Sequence, residues 1–371
     1  MEHPVVAHLA SNPVSSLEEL GIFARWSDKN PRKVSLNYDQ IEAKDGHPLV
    51  DGCRGLVVRQ DHDGPRGSPG AYSVLARPFT RFYNLGSGHA ADIDWSTAAF
   101  EEKLDGTLCI VYLDPDLDDF CVATRSVPDA DVPNSEGVTF AELFWRHSGA
   151  SDVGGYDAEC TYLYELTGPG NQIGVPYDAW GTTLLARIDN ATGVETPGDA
   201  PRHRFETLAE AQDWLGRQPG HAIEGFIVRD GAGRRVKVKS AQYLAIAKVM
   251  TAAGSDVSLT QIVLSGTADD VRGFLPKPRQ ERIDLVAGAV ARWASGVEAF
   301  AAALPPSERK DAALAVKASP YAAWIGLILD LWLGKHRTVS AWIEAGKVEG
   351  EITRSVAERV WAAVKAEVDP A

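Results

Sequence analysis

EEKLDGTL, residues 101–108, poses the question on which the fold turns: Lys103 is either a surface lysine ahead of an Asp105-Gly106 turn or a nucleophile. An amine at its ordinary pKa of about 10.4 is almost wholly protonated at neutral pH and attacks nothing. Burial or neighbouring cations lower that value. Cations stand at VKVK, 236–239. Side chains alternate in a strand, so Lys237 and Lys239 share one face while Val236 and Val238 share the other. Such a comb could hold the α-phosphate of a nucleoside triphosphate, favour a neutral lysine beside it and stabilise charge in transfer. Its bland reading is a solvated edge strand, which lysines commonly mark.

Two carboxylates stand upstream of the comb. HAIEGFIVRD, 221–230, puts Glu224 on a strand joined to the comb by the turn DGAG. A carboxylate facing two lysines across a hairpin is either a salt-bridge ladder or a magnesium and nucleotide site. YLYELTGPGNQIG, 162–174, places Glu165 in an aromatic strand, where a carboxylate needs a partner. A ribose hydroxyl, a metal-bound water or an arginine would each serve.

The bulk composition narrows the class. With 371 residues, 44% hydrophobic and 24% charged, the chain is globular and long enough for two domains. The N-terminal stretch has no basic segment followed by an apolar run, so no secretory signal is expected. The strongest apolar run, Tyr321 to Gly334, is only 14 residues long and contains Asp330, too short to span a bilayer; it reads as a buried helix. Four scattered cysteines without zinc or redox spacing imply a reduced, cytoplasmic protein. The net charge of −14 argues against indiscriminate coating of nucleic acid. Any polynucleotide must meet a local basic surface, such as Arg229, Arg234, Arg235, Lys237 and Lys239 in RDGAGRRVKVK.

The chain has two halves of different periodicity. Up to residue 248, short stretches such as RGLVVRQ, AYSVLARPF, GTLCIVYLD, CTYLYELTG, TTLLARIDN, EGFIVRD and RRVKVKS alternate with turn residues and read as strands. ETLAEAQDWLGRQ carries the main helical signal there. This half is expected to be α+β with mostly antiparallel sheet. Residues 249–371 are Ala-rich with apolar spacings of three and four, broken at Pro305-Pro306, Ser319-Pro320, Gly334 and Gly350, and read as an all-α domain.

KLDG at 103–106, the Glu165 strand, EGFIV at 224–228 and KVK at 237–239 follow the order and approximate spacing of the motifs of covalent nucleotidyltransferases. That superfamily comprises ATP-dependent DNA ligases, RNA ligases and capping enzymes. Within it the chain most resembles the bacteriophage RNA ligase 1 family, through CRGLVV with Arg54, ARPFTRFYN with Arg77, Pro78, Phe82 and Asn84, and VKVKSAQYL. The resemblance implies an ATP-grasp-like ligase domain over 1–248 and a helical domain over 249–371 that selects RNA. It implies that Lys103 attacks ATP to form a lysyl-AMP, passes AMP to an RNA 5′-phosphate, and lets a 3′-hydroxyl displace it, as in repair of a broken tRNA. It assigns Arg54 and Lys239 to phosphates, Lys237 to the α-phosphate, Glu165 to the ribose or metal, Glu224 to Mg2+ (or Mn2+), and Phe82 to the nucleotide pocket. Asp105 and Gly106 of the motif and Arg81 join the nucleotide-binding set. Arg81 stands where the family usually has Lys, and so does Arg125, which leaves the phosphate interactions at those positions open. A monomer without membrane contact is expected.

Other readings are a DNA ligase or another polynucleotide adenylyltransferase, and a nucleotidyltransferase fold kept only to bind RNA. Gly86, Gly88 and Ala91 match a dinucleotide fingerprint formally, but TRFYN before them is no buried parallel strand. There is no phosphate-loop sequence of the Walker type either.

Overall fold

The computed structural model describes residues 2–134, 137–149, 155–171, 173–252, 254–272, 275, 277–305, 308–346 and 353–369. Pro306 and Gly350, read above as helix breakers, lie outside the described residues. Two compact units divide between Ala245 and Ile246.

The first unit carries strands β1 (Ile22–Trp26), β2 (Lys33–Tyr38), β3 (Arg54–Gln60), β4 (Tyr72–Ala76), β5 (Ala99–Glu102), β6 (Thr107–Asp114), β7 (Asp119–Thr124), β8 (Cys160–Thr167), β9 (Gly181–Asp189), β10 (Glu195–Pro197), β11 (Arg202–His203), β12 (Gly225–Arg229) and β13 (Arg235–Lys239). They form three sheets, ordered β1-β2-β3-β4, β10-β9-β8-β6-β7 and β11-β5-β12-β13. Every strand pair is antiparallel. All seven stretches read as strands are strands, and Leu208–Arg217 is a helix capped by Thr207. β1, β5 and β7 are too short, and β2 too polar, to stand out as apolar runs.

Val57, Leu75 and Ala76 from the first sheet pack with Leu108, Ile110, Tyr112, Leu163 and Ala186 from the second. One ionic cluster reinforces that junction. Lys33 on β2 is fully buried, its Nζ lying 2.8 Å from Asp114 and 2.8 Å from Asp129. Burial alone would drive the proton off, but the two carboxylates outweigh it and raise the amine above its ordinary range. In the third sheet Phe100, Phe226, Val228, Val236 and Val238 turn inward onto the Leu208–Arg217 helix. The valines of VKVK are therefore core, and the lysines face the other way.

The second unit is helical. Lys277–Ala303 buries Val286, Ala289, Val290, Trp293, Val297 and Ala301, a stripe at helical spacing, and Arg354–Val368 buries Ala357, Val360, Val364 and Val368. The Tyr321–Gly334 run forms a 3-10 turn, Ala322–Trp324, and a helix, Ile325–Trp332, that buries Leu327 and Ile328 in the same core. Among the described residues no helix is long and apolar enough to cross a membrane.

Candidate active site

Backbone hydrogen bonds bring the nucleophile candidate to its partners. β5 ends at Glu102, and the amide of Lys103 donates to the carbonyl of Gly225 at 2.9 Å, which seats the lysine beside the start of β12. Gly225 has φ +148, and a Cβ there would overlap the Val238 carbonyl oxygen, so only glycine lets β13 approach this closely. That is the physical content of the Glu224-Gly225 pair. Lys103 and Glu224 are thereby neighbours although 121 residues separate them: Lys103 Nζ donates to Glu224 Oε2 at 2.7 Å. Lys239, paired with Gly225 in the ladder, reaches Glu224 Oε1 at 2.8 Å. Each oxygen of one nearly buried carboxylate therefore holds one ammonium.

Lys237 leaves the same face of β13. Its pKa is lowered to about 7 by burial first, then by Arg54, Lys103, Lys239 and Arg125. The comb is thus crowded enough to expel a proton at neutral pH. Lys237 Nζ and the Arg54 guanidinium lie over the Phe82 ring at 5.0 and 5.4 Å. The segment carrying Phe82 is pinned there: Lys237 N donates to Tyr83 O, and Leu85 N to Lys237 O, both at 2.9 Å, giving Asn84 its bridge to Lys237.

Glu165 lies on β8 beside β6, opposite Leu108. Burial raises its carboxyl to about 7, against the pull of Lys103 and Arg54 and with the push of Glu224. These groups bound a pocket of about 600 Å³. Arg54, Lys103, Glu165 and Lys237 supply its polar wall; Phe79, Phe82, Leu108, Leu185, Ala200 and Ile227 supply an apolar one. Its lining, part charged and part apolar, suits a nucleotide.

Several predicted residues stand outside this pocket. Asp105 is buried and turned away, its carboxylate accepting the amides of Ile173, Gly174 and Val175 at 3.1, 2.6 and 2.9 Å. It clasps the loop after β8 to the nucleophile's own turn, and its amide donates to the Tyr177 hydroxyl at 3.1 Å. Gly106 is needed because a Cβ would run into the Leu166 carbonyl. The Arg81 guanidinium stacks on Tyr38 and Tyr83 and pairs with Asp45 at 2.8 Å, in the neighbouring cavity. Arg77 donates to the carbonyl of Asn190, and Arg125 lies over Tyr38. Gly86 and Gly88 belong to an irregular segment with no helix after them, which removes the dinucleotide reading.

Three charged lining residues were not placed in the nucleotide pocket by the sequence, although Arg235 was read as part of the basic surface. Arg235 alternates with Lys237 and Lys239, so the period of two predicts it on the same face; it lies over Phe79 and pairs with Glu195. Glu101 and Glu102 precede Lys103 and also line the pocket. Glu102 Oε1 is 2.6 Å from His203 Nε2, a pairing no local pattern announces.

Glu165 and Glu224 fit a hard divalent cation, since both are carboxylates and Glu165 has more burial than its cationic neighbours offset. Among the described residues no group of three or more His, Cys, Asp or Glu could hold a metal. Further ligands would come from water or substrate phosphate, as is usual for Mg2+.

No family model matches the chain. In sequence it is 27% identical over 269 residues to a protein of Autographa californica nuclear polyhedrosis virus named "Putative bifunctional polynucleotide kinase/RNA ligase", covering 65% of this chain and 37% of that one. It is 25% identical over 269 residues to a "Putative RNA ligase" of Thermovibrio ammonificans (strain DSM 15698 / JCM 12110 / HB-1), covering 66% of each. Both relatives are named for RNA ligation. The chain spans about a third of the first and just under two thirds of the second. Among solved structures it aligns with form 1 of an archaeal ATP-dependent RNA ligase at a TM-score of 0.42 and 15% identity, over 98% of this chain and 89% of that one.

Proposed function

We propose that the chain is an ATP-dependent RNA ligase, of the kind found in the bacteriophage RNA ligase 1 family, joining RNA 5′-phosphate and 3′-hydroxyl ends through a lysyl-AMP on Lys103. The observation that carries this reading is the convergence of Lys103, Glu165, Glu224, Lys237 and Lys239 on one pocket or its rim, from motifs spread over 137 residues. The two sequence relatives named for RNA ligation support it.

In this reading ATP lies with its base against the apolar wall and Phe82, and its α-phosphate toward Lys237 and Arg54. Lys103 Nζ attacks the α-phosphorus, forming a P–N bond as the P–O bond to pyrophosphate breaks. Glu224, 2.7 Å away, is placed to take the amine's proton while Lys239 holds its other oxygen. Lys237 and Arg54 meet the charge that grows on the phosphoryl oxygens. A divalent cation held by Glu165, with Glu224 meeting its bound water, would neutralise charge on the departing pyrophosphate when bound. Asp105 acts behind the site, holding the turn that carries Lys103. The helical unit selects the RNA, for example a cleaved tRNA. The four free cysteines fit work in the reducing cytoplasm.

The rival is DNA joining, since the Lys103 pocket offers nothing that separates one 5′-phosphate from another. Sealing assays on matched RNA and DNA single strands and nicks decide between them. RNA is joined in preference; joining of all-DNA ends with none on RNA would overturn the substrate assignment.

A further inference from the structure

Residues 1–245 carry 22 Lys and Arg against 36 Asp and Glu, the whole of the chain's excess of −14; residues 246–371 are balanced at 15 against 15. A polynucleotide that brings its end to Lys103 must therefore cross a negatively charged unit, and it needs a local cationic foothold there. The basic hairpin offers one that the nucleotide pocket does not use. A second cavity, of about 710 Å³, adjoins the first, and Phe82 and Arg235 wall both. Arg81 and Arg234 are its other cationic linings, and the His89 ring also borders it.

These groups are held in a way that suits phosphate. The Arg81 guanidinium lies over Tyr38 at 4.1 Å and Tyr83 at 4.8 Å, so its plane is fixed; Asp45 pairs with Nη2, and Nη1 is buried without a hydrogen-bond partner, so a phosphate would have to displace what covers it. Arg234 is anchored through Nε to the fully buried Asp230 at 2.7 Å, yet its side chain remains 46% exposed. His89 is exposed at the rim, its ring 5.5 Å from that of Tyr83. Asp51, the one acid in the lining among the described residues, takes the Tyr83 hydroxyl at 2.6 Å, which leaves less of its charge turned toward a ligand. Planar guanidinium forks bind phosphate bidentately, whereas the nucleotide pocket next door has an apolar wall suited to a base.

We propose that this second cavity seats the phosphates of the 5′-terminal nucleotides of the 5′-phosphorylated strand, with Arg81 and Arg234 as the grips. The proposal rests on the ligase reading and extends it to the strand. From that seat a 5′-phosphate oxygen attacks the phosphorus of the lysyl-AMP: a P–O bond forms, the P–N bond breaks, and Lys103 leaves as an amine that takes its proton from water. The shared wall at Phe82 and Arg235 makes this the short route between strand and adenylate.

The test uses the full chain with Arg234→Gln, His89→Gln and their combination, and Arg234→Lys as the variant that keeps charge and the Asp230 pair. Self-adenylylation with ATP stays within about twofold of wild type in all four. Transfer of AMP from pre-adenylylated protein to a 5′-phosphorylated oligoribonucleotide falls at least tenfold in the double variant and is largely kept in Arg234→Lys. Titration of 5′-phosphorylated against 5′-hydroxyl oligonucleotides, RNA and DNA in parallel, gives a slope of log affinity against log salt that is shallower by about 0.7 for each phosphate left without its cation on a single strand. Unchanged transfer and slope, or loss of ATP affinity in place of strand affinity, would overturn the proposal. A wild-type protein that forms no adenylate would instead refute the ligase reading, and the titration would still judge the cavity.

Discussion

Replacing Asp105 with alanine tests whether the motif aspartate is a brace. Its carboxylate accepts three backbone amides at 2.6–3.1 Å. A hydrogen bond to a charged group contributes about 1.5–3 kcal/mol. Ile173 is half exposed, so its amide regains water on truncation, whereas Val175 is buried. Counting only Gly174 and Val175, the loss is about 3–6 kcal/mol. In a unit of this size each kcal/mol lowers Tm by about 2–4 °C, so the lower end predicts a fall of about 6–12 °C. Asp105→Asn keeps one acceptor oxygen and falls about half as far. Because Asp105 is not in the pocket lining, ATP affinity changes little, while adenylylation slows at least tenfold as the Lys103 turn loosens. Thermal unfolding, ATP titration and single-turnover adenylylation read the three effects. An Asp105→Ala protein that melts within about 2 °C of wild type, or that loses ATP binding and rate together, would refute the brace.

Lys33→Met leaves Asp114 and Asp129 buried without their cation, and breaking a buried pair from one side costs about 3–5 kcal/mol; urea unfolding should show a loss of that order, and a loss below about 1 kcal/mol would mean the triad is electrostatically idle. Lys237, lowered to about 7, is half neutral at pH 7, and an anionic nucleotide favours its charged form, so binding takes up a proton. ATP affinity measured without divalent cation should therefore weaken as pH rises from about 7.5 to 9, by up to tenfold per unit, and Lys237→Met should flatten the profile. A wild-type profile that is flat or rises would contradict that assignment.

Much of this was legible beforehand because the chemistry depends on local patterns. The alternation in VKVK foretold one cationic face, and the Ala-rich spacing of residues 282–304 foretold a helix, which runs from Lys277 to Ala303 with one buried stripe. What the sequence could not show are partners set by tertiary approach. Nothing near Lys33 in the chain marks it, because its amine is buried between Asp114 and Asp129 from distant strands and loops. Asp105 reads as a ligand of the nucleotide because it stands two residues from Lys103, yet its side chain is directed by a loop some seventy residues on. Arg81 was grouped with the phosphate-binding residues by its place in the chain, and two tyrosine rings hold it in the next cavity.

The central claim is that one amine among crowded cations captures a nucleotide as a phosphoramidate. Protein incubated with ATP and Mg2+, denatured in alkali where P–N bonds survive, and mapped by peptide mass spectrometry should carry one AMP on Lys103, and Lys103→Ala should carry none. An adduct on another residue, or wild-type protein that stays unmodified, would contradict the account.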